Sequence, residues 1–390
     1  MTTHSAVSLI RDALLVLSAA PFAYYAVAIV AASRFFRPSS APPADYFPPV
    51  SILKPIRGLD RDAYENFASF CRQDYPEFEI LFCVSDEQEP ALPVIRQLIA
   101  DFPARRIRLL FGSEPLGASD KVNKLCRMAR EAQNELLIVS DSDVRVEPGF
   151  LAAVAAPFAD PAVGGVTCPY RGLTDDSLPA DLEALGNSAD FAPGVVVAWM
   201  LGGGKLDFML GAVMAATKKQ LAEIGGFESL VDFFCDDYEL GNRIALRGRR
   251  IELSRFPVDI VYPRESLAEA FRHQVRWNLS IRFSRPGGHF GLLFTHGLPW
   301  AILGLALAHS WAGTLFFVGG YALLRYETAL STGARGMRDQ IVRRKLWMLP
   351  LRDAFAFIVW LASFFPKKIL WRDRVFHVRE KRLVPVPRVR

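Results

Sequence analysis

Cysteine is scarce and poorly spaced for any structural duty: Cys71, Cys83, Cys126, Cys168 and Cys235 are five in number, with no CxxC pair among them. That excludes a disulfide framework and a cysteine-based zinc site, and it fits a reducing compartment in which the thiols act as small buried hydrophobes. Internal repeats and low-complexity tracts are also absent, so no repeat architecture is indicated. Excess charge is small as well, +5 over 390 residues, with the basic residues thin through the middle and gathered after Ala334. That distribution suits a membrane surface rather than nucleic acid. Charge is missing altogether from Ala13 to Ala32, ALLVLSAAPFAYYAVAIVAA. About 20 such residues are what a helix needs to cross a bilayer.

What is present follows from these gaps. A chain with 51% hydrophobic residues buries one large core and retains residues for membrane elements, which predicts one catalytic domain with membrane segments around it. Residues 1–38 read as a transmembrane anchor, and Arg34 and Arg37 behind it place the following domain in the cytoplasm. A cleaved signal peptide is the competing reading, against which stand the length of the run, Pro21 and the lack of a small-residue cleavage site before Arg34. Residues 39–49, rich in proline and alanine, read as a linker, and residues 50–286 as the soluble domain. Residues 287–390 turn apolar again at Phe290–Ala308, Trp311–Leu324 and Trp347–Phe365, the last interrupted by Arg352 and Asp353. The first is long enough to span; the other two are read equally as interfacial or re-entrant helices. Arg335, Arg338, Arg343, Arg344 and Lys345, then Lys367, Lys368, Arg372 and Arg374, favour the cytoplasmic face.

Within the soluble domain, VSILK (Val50–Lys54), FEILFCV (Phe78–Val84), IRLLF (Ile107–Phe111) and the run Leu136–Val139 are short β-rich segments separated by helical stretches such as Tyr64–Cys71 and Leu92–Phe102. Strands alternating with helices predict an α/β fold with a parallel, doubly wound sheet, whose ligands sit beyond the carboxyl ends of the strands. Lys54, Asp86 and the triplet Asp141-Ser142-Asp143 fall there. An Asp after a strand is ordinarily a turn former or cap, and Asp86 alone supports no more. Two carboxylates one residue apart, directly after an apolar strand, suit a hard divalent cation that bridges phosphates, with a solvated turn as the bland alternative. Asp236 and Asp237 pair two more carboxylates ahead of a helical stretch, Glu239–Leu246. Like charges at close range raise one pKa and equip one of the two as a general base. In His273-Gln274-Val275-Arg276-Trp277, the arginine offers a diphosphate clamp and the tryptophan a stacking face, though an Arg-Trp pair is also a common interfacial anchor. The apolar segment Val195–Leu210, with its Gly202-Gly203-Gly204 hinge, reads as a lipid-facing loop or as a buried helix and turn.

In this order the motifs resemble those of family 2 and family 21 glycosyltransferases. The residues that carry the likeness are SILKPIRGLD (Ser51–Asp60), DYP (Asp74–Pro76), LFCVSDEQEPA (Leu81–Ala91), DKVNKL (Asp120–Leu125), VSDSDVRV (Val139–Val146), CDDYELG (Cys235–Gly241) and HQVRW (His273–Trp277). Family 21 ceramide glucosyltransferases are nearest. The bacterial hopanoid glycosyltransferases are similar through VTCPYRG (Val166–Gly172), APGVVV (Ala192–Val197) and IGGF (Ile224–Phe227). Two departures stand out: His273 occupies the first position of the usual (Q/R)xxRW element, and NSADFAPG (Asn187–Gly194) offers no counterpart to a histidine of the animal ceramide enzymes.

The resemblance implies a GT-A domain, a UDP-sugar donor and a lipid acceptor, either ceramide taking glucose or a hopanoid polyol taking N-acetylglucosamine. It implies that Asp86 meets the uridine side of the donor, that Asp141 and Asp143 hold Mg or Mn against the diphosphate, and that Asp237 is the general base. Arg276 and Trp277 then complete catalysis, with Lys54, Lys121, Asp236, His273 and Gln274 lining the donor site. The expected location is a bacterial inner membrane with the catalytic domain facing the cytoplasm. A processive polysaccharide synthase, which needs more membrane helices, and a non-catalytic membrane binding protein are the competing classes.

Overall fold

The structure, a computed structural model, describes residues 3–37, 46–366, 369–371 and 374–386. Residues 39–45 of the expected linker, and Lys367, Lys368 and Arg372, lie outside the described residues. Two compact units emerge, and neither follows the expected order of anchor, domain and membrane tail. One unit gathers 46–175, 199–264 and the described C-terminal residues; the other gathers 3–37, 176–198 and 265–366.

The first unit holds three sheets. Its strands are β1 (Val50–Pro55), β2 (Phe78–Val84), β3 (Arg106–Phe111), β4 (Leu136–Ser140), β5 (Val144–Arg145), β6 (Val163–Thr167), β7 (Tyr170–Leu173), β8 (Val213–Thr217), β9 (Arg250–Leu253), β10 (Val258–Val261), β11 (Ile369–Trp371), β12 (Arg374–Arg379) and β13 (Arg382–Pro385). The main sheet runs β3-β2-β1-β4-β8-β6-β9. It is mostly parallel, but β8 lies antiparallel to both β4 and β6. β2 and β4 are buried along their whole length, as strands covered on both faces must be, and are apolar but for Glu79 and Ser140. β3 is the edge, and its Arg106 and Phe111 are exposed.

From β1 the chain moves outward to β2 and β3, then returns to β4 on the other side of β1. The crevice beyond the carboxyl ends of β1 and β4 is therefore the topological switch point, where open α/β sheets bind ligands. A smaller sheet, β5-β10-β7, begins one residue after Asp143. Val261 donates its N–H to the Asp143 carbonyl at 2.9 Å, fixing the acidic triplet between two sheets.

Helix Asp236–Leu246 begins at the paired carboxylates, three residues earlier than the helical stretch expected from the sequence. It lies against the backbone of Phe208 and Met209 so closely that a Cβ on Gly241 would stand 2.3 Å from the Met209 nitrogen. Of the segment Val195–Leu210, read as a lipid-facing loop or as a buried helix and turn, the first part belongs to helix Ala192–Leu201, with Val195 and Val196 buried. Leu206 pairs with Ile251, and Met209 and Leu210 are buried, because the sheet edge needs their apolar surface.

The second unit is helical. Among the described residues one helix, Val7–Phe35, is long and apolar enough to cross a bilayer. The segment Phe290–Ala308, expected to be long enough to span, falls in a pair of helices, Pro286–Thr295 and Gly297–Ala308, bent by 52°. Pro299 in the first turn of the second helix lacks an N–H and clashes with the preceding turn, which explains the break. Tyr25 covers it by donating to the Thr295 carbonyl at 3.1 Å and accepting from Gly297 N–H at 3.0 Å.

The charges that interrupted the last apolar segment are paired internally. Arg325, fully buried, grips Asp353 through two guanidinium nitrogens, 2.6 Å at the closest, and Asp190 at 2.6 Å, while Tyr321 donates to Asp353 at 2.8 Å. Arg352 holds the second oxygen of Asp190 at 2.7 Å.

Gly241→Ala tests the close approach in the first unit. Backbone cannot move aside as a flexible side chain can, so the variant should lose about 1–3 kcal/mol of stability. Thermal unfolding of the purified protein in detergent checks this, and an unchanged midpoint would contradict the packing described.

Candidate active site

The carboxyl ends of β1 and β4 carry an ionic cluster. Lys54 closes β1 with its side chain buried, over the face of Phe70 at 3.7 Å, and its ammonium donates to the Asp141 carbonyl at 2.9 Å and Ser140 Oγ at 3.3 Å. Burial pulls its pKa down to about 7, against the opposing pull of Asp141 and Asp143.

Lys121 approaches from the first turn of helix Asp120–Glu131, capped by Ser119. Its Nζ lies 2.7 Å from Asp141 Oδ1 and 3.9 Å from Asp236 Oδ2. Burial alone would lower its pKa, but the two carboxylates outweigh burial and raise it, so Lys121 stays charged.

Around these cations the carboxylates crowd one another. Burial first, then Asp141 and Asp60, push Asp143 up to about 7. Burial and neighbouring Asp236 push Asp237 up to about 6. Asp236 is raised by burial too, Lys121 opposing, and its Oδ2 is a buried oxygen with no hydrogen-bond partner. Asp237 Oδ1 accepts from Tyr238 N–H at 2.7 Å, which orients the side chain. Gly211 makes room on the other side, since a Cβ there would stand 3.0 Å from Asp237 Oδ2. A buried carboxylate oxygen without a hydrogen bond, with the Lys121 ammonium 3.9 Å away and acids around it, is a setting that a divalent cation satisfies, so the donor set fits Mg or Mn.

Six expected residues therefore meet at one place: Lys54, Lys121, Asp141, Asp143, Asp236 and Asp237. Asp86 does not join them. It is exposed beyond β2, and its Oδ1 closes a local turn by accepting from Gln88 N–H at 2.8 Å, the ordinary duty of an Asp after a strand. Two neighbours escaped the sequence reading. Tyr170 opens β7, and burial followed by Asp237, Asp141 and Asp143 raises its phenol. Lys124, one turn beyond Lys121, is buried and donates to the Ile56 carbonyl at 2.7 Å. Its i, i+3 spacing from Lys121 was the available signal.

The HQVRW element belongs to the second unit, on helix Leu267–Ser284, which starts with a capping box between Ser266 and Glu269. His273 stacks edge-on against Trp277, centroids 4.8 Å apart. His273 and Gln274, expected in the donor site, meet protein partners within this unit. His273 Nδ1 and Gln274 Nε2 both meet buried Glu183 Oε1 at 3.1 Å, and Gln274 Oε1 faces Arg352 at 3.4 Å. Ligand-type atoms of Glu183, Glu265 and His273 lie within 4.8 Å of one another. Glu183 was invisible in the sequence because its partners lie about 90 residues away.

A mostly parallel sheet with carboxylates at its switch point is the architecture of the GT-A glycosyltransferases. The mannosyltransferase PcManGT of Pyrobaculum calidifontis, solved with GDP-Man and Mn2+, shares this fold at TM-score 0.60 and 18% identity, over 91% of this chain and 99% of that one. The pattern described as Glycosyl transferase family 21 matches residues 13–384, and the chain belongs to that family. It is similar to ceramide glucosyltransferase 1 of Caenorhabditis elegans, 30% identical over 55% of this chain and 46% of that protein. Ceramide glucosyltransferase 3 of the same nematode is 26% identical over 85% of this chain and 73% of that protein. The chain thus spans less than half the length of the first relative.

The carboxylate cluster sets a pH dependence. Raised folded-state values mean that the folded protein binds more protons than the unfolded chain between about pH 4 and pH 7, so stability falls as pH rises through that window. Without added metal, the midpoint of thermal unfolding should be higher at pH 5.5 than at pH 7.5. Asp143→Asn should raise the midpoint at pH 7.5 and flatten the slope; a lower midpoint would contradict the crowding.

Proposed function

We propose that the protein is an inverting lipid glycosyltransferase that moves glucose from UDP-glucose to the primary hydroxyl of ceramide. The observation that carries this reading is the convergence of Asp141 and Asp236 on Lys121, with Asp237 one residue further on. Membership of family 21 and the similarity to ceramide glucosyltransferases support the choice of sugar and lipid. Transfer of N-acetylglucosamine to a hopanoid polyol is the alternative, and the relatives named here do not favour it.

In this reading Asp237 takes the proton of the lipid hydroxyl as that oxygen attacks the anomeric carbon. The bond to the diphosphate breaks, and its electron pair leaves with UDP. A base near pKa 6 is ionised at neutral pH yet still basic enough to accept the proton, and such help is worth about two to four orders of magnitude. Asp141 and Asp143 are the residues that would hold Mg or Mn, which supplies positive charge beside the diphosphate when bound. Lys121 brings a fixed cation to the same pocket. Lys54, buried beneath the triplet, fixes the Asp141 backbone. Arg276 and Trp277 are proposed to act on the departing diphosphate and the nucleotide, and Asp86 on the uridine side.

Membrane association is consistent with helix Val7–Phe35. Arg34 and Arg37 at its end support a cytoplasmic face for the catalytic unit. A bacterial inner membrane is the proposed site, while the relatives named are from a nematode.

Expression in a host lacking glucosylceramide and glycosylated hopanoids, fed ceramide or bacteriohopanepolyol, tests the substrates by mass spectrometry of the lipid extract. The expected product is glucosylceramide; a glycosylated hopanoid alone would overturn the assignment. Asp237→Asn should abolish that product while UDP binding survives, and normal turnover in this variant would remove Asp237 as the base.

A further inference from the structure

Residues 374–385 form a hairpin of β12 and β13 in the first unit. Its two-residue tip, Glu380 and Lys381, sits at φ 48° and 66°. Hairpin turns of that geometry ordinarily take Asn-Gly, because other side chains are strained in the left-handed region. Strain of this kind persists where surrounding contacts demand it.

Those contacts lead to the paired carboxylates. Lys381 accepts Phe234 N–H at 3.0 Å on its carbonyl, and Leu383 donates its N–H to the Asp232 carbonyl at 2.7 Å, on either side of a bridge between Phe233 and Arg382. Lys381 Nζ pairs with Glu239 Oε1 at 3.1 Å and lies 5.2 Å from the centre of the Tyr238 ring. The Phe233 ring has Arg382 at 5.1 Å and Arg243 at 4.6 Å from its centre.

The same segment also reaches Lys121. Asp232 Oδ1 accepts Ala118 N–H at 2.9 Å, and the Val231 carbonyl accepts from Ser119 N–H at 2.8 Å. Residues 231–234 thus connect the start of the Lys121 helix to the start of the Asp236–Asp237 helix. The hairpin is paired to this connection by backbone. Glu239 is the third acidic residue in that first turn, after Asp236 and Asp237. Its two oxygens are shared between Lys381 Nζ at 3.1 Å and Arg243 Nε at 3.3 Å, so the hairpin holds one side of the carboxylate and its own helix the other.

We propose that Lys381 is a positioning residue for glycosyl transfer, holding the Asp236–Asp237 turn at its working distance from Lys121 through Glu239 and the backbone of Phe234. The inference rests on the roles proposed above for these carboxylates. Displacing a catalytic group by about 1 Å costs on the order of 100-fold in rate. The full-length chain carrying Lys381→Gln should therefore lose about 10- to 100-fold in kcat, with the donor KM changed much less. Lys381→Arg should recover most of the rate, since its guanidinium reaches the same carboxylate.

Hydrogen exchange over residues 230–240 is measured alongside, with a second variant ending at Pro366. Exchange in that segment should quicken in the truncated chain while β1, β2 and β4 keep their protection. Unchanged exchange in both variants would overturn the proposal, and so would faster exchange with wild-type kcat in Lys381→Gln. If the wild-type chain transfers no sugar, the proposed function fails instead, and the hairpin's role is then judged on UDP affinity and exchange alone.

Discussion

Four carboxylates collect at the mouth of the switch point, and what lets them stand there is the ammonium of Lys121 between Asp141 and Asp236. The sheet brings Asp141 and Asp143 to the end of β4, and the helix Asp236–Leu246 brings the second pair to meet them. Neither pair is at rest: Asp143 and Asp237 are held well above the ordinary carboxylate range, mainly by burial. Such an arrangement costs the fold stability and returns it as a pocket primed for positive charge and a diphosphate. Much of the surrounding structure follows from keeping the two pairs in place, including the β5–β10 clamp on Asp143, the close approach of Asp237 to Gly211 and the close seat of Gly241.

The helical unit solves a different electrostatic problem. Arg325, Arg352, Asp190 and Asp353 are ionic groups within strongly apolar sequence, and they survive burial by neutralising one another with near-complete hydrogen bonding. Through Gln274 this network extends to Glu183 and His273, so the HQVRW helix is anchored by charges on helix Leu349–Ala362. His273, at a position usually filled by Gln or Arg, meets the Glu183 carboxylate at 3.1 Å.

The first four strands and their helices were legible to within a residue or so, because a buried parallel sheet writes each strand as a continuous apolar run. Asp141, Asp143, Asp236 and Asp237 were legible because paired acids after apolar segments are costly without a ligand. Asp86, a single acid after its strand, carried no such tension, and its place in the family motif rather than its chemistry singled it out. What escaped was non-local. The antiparallel β8, the pairing of Arg352 with Asp190, Glu183 beneath His273 and the return of β13 to residues 232–234 depend on partners about 50 to 160 residues apart along the chain. The bend at Pro299 was readable from its proline, but composition alone made the segment look like one span.

The central claim is that the acidic cluster is a cation-dependent diphosphate site. Electron paramagnetic resonance of Mn2+ titrated into the purified protein with UDP tests it most directly. The account predicts one bound ion per chain in the presence of UDP, lost in both Asp141→Asn and Asp143→Asn. Equal binding by the wild type and these two variants would contradict it.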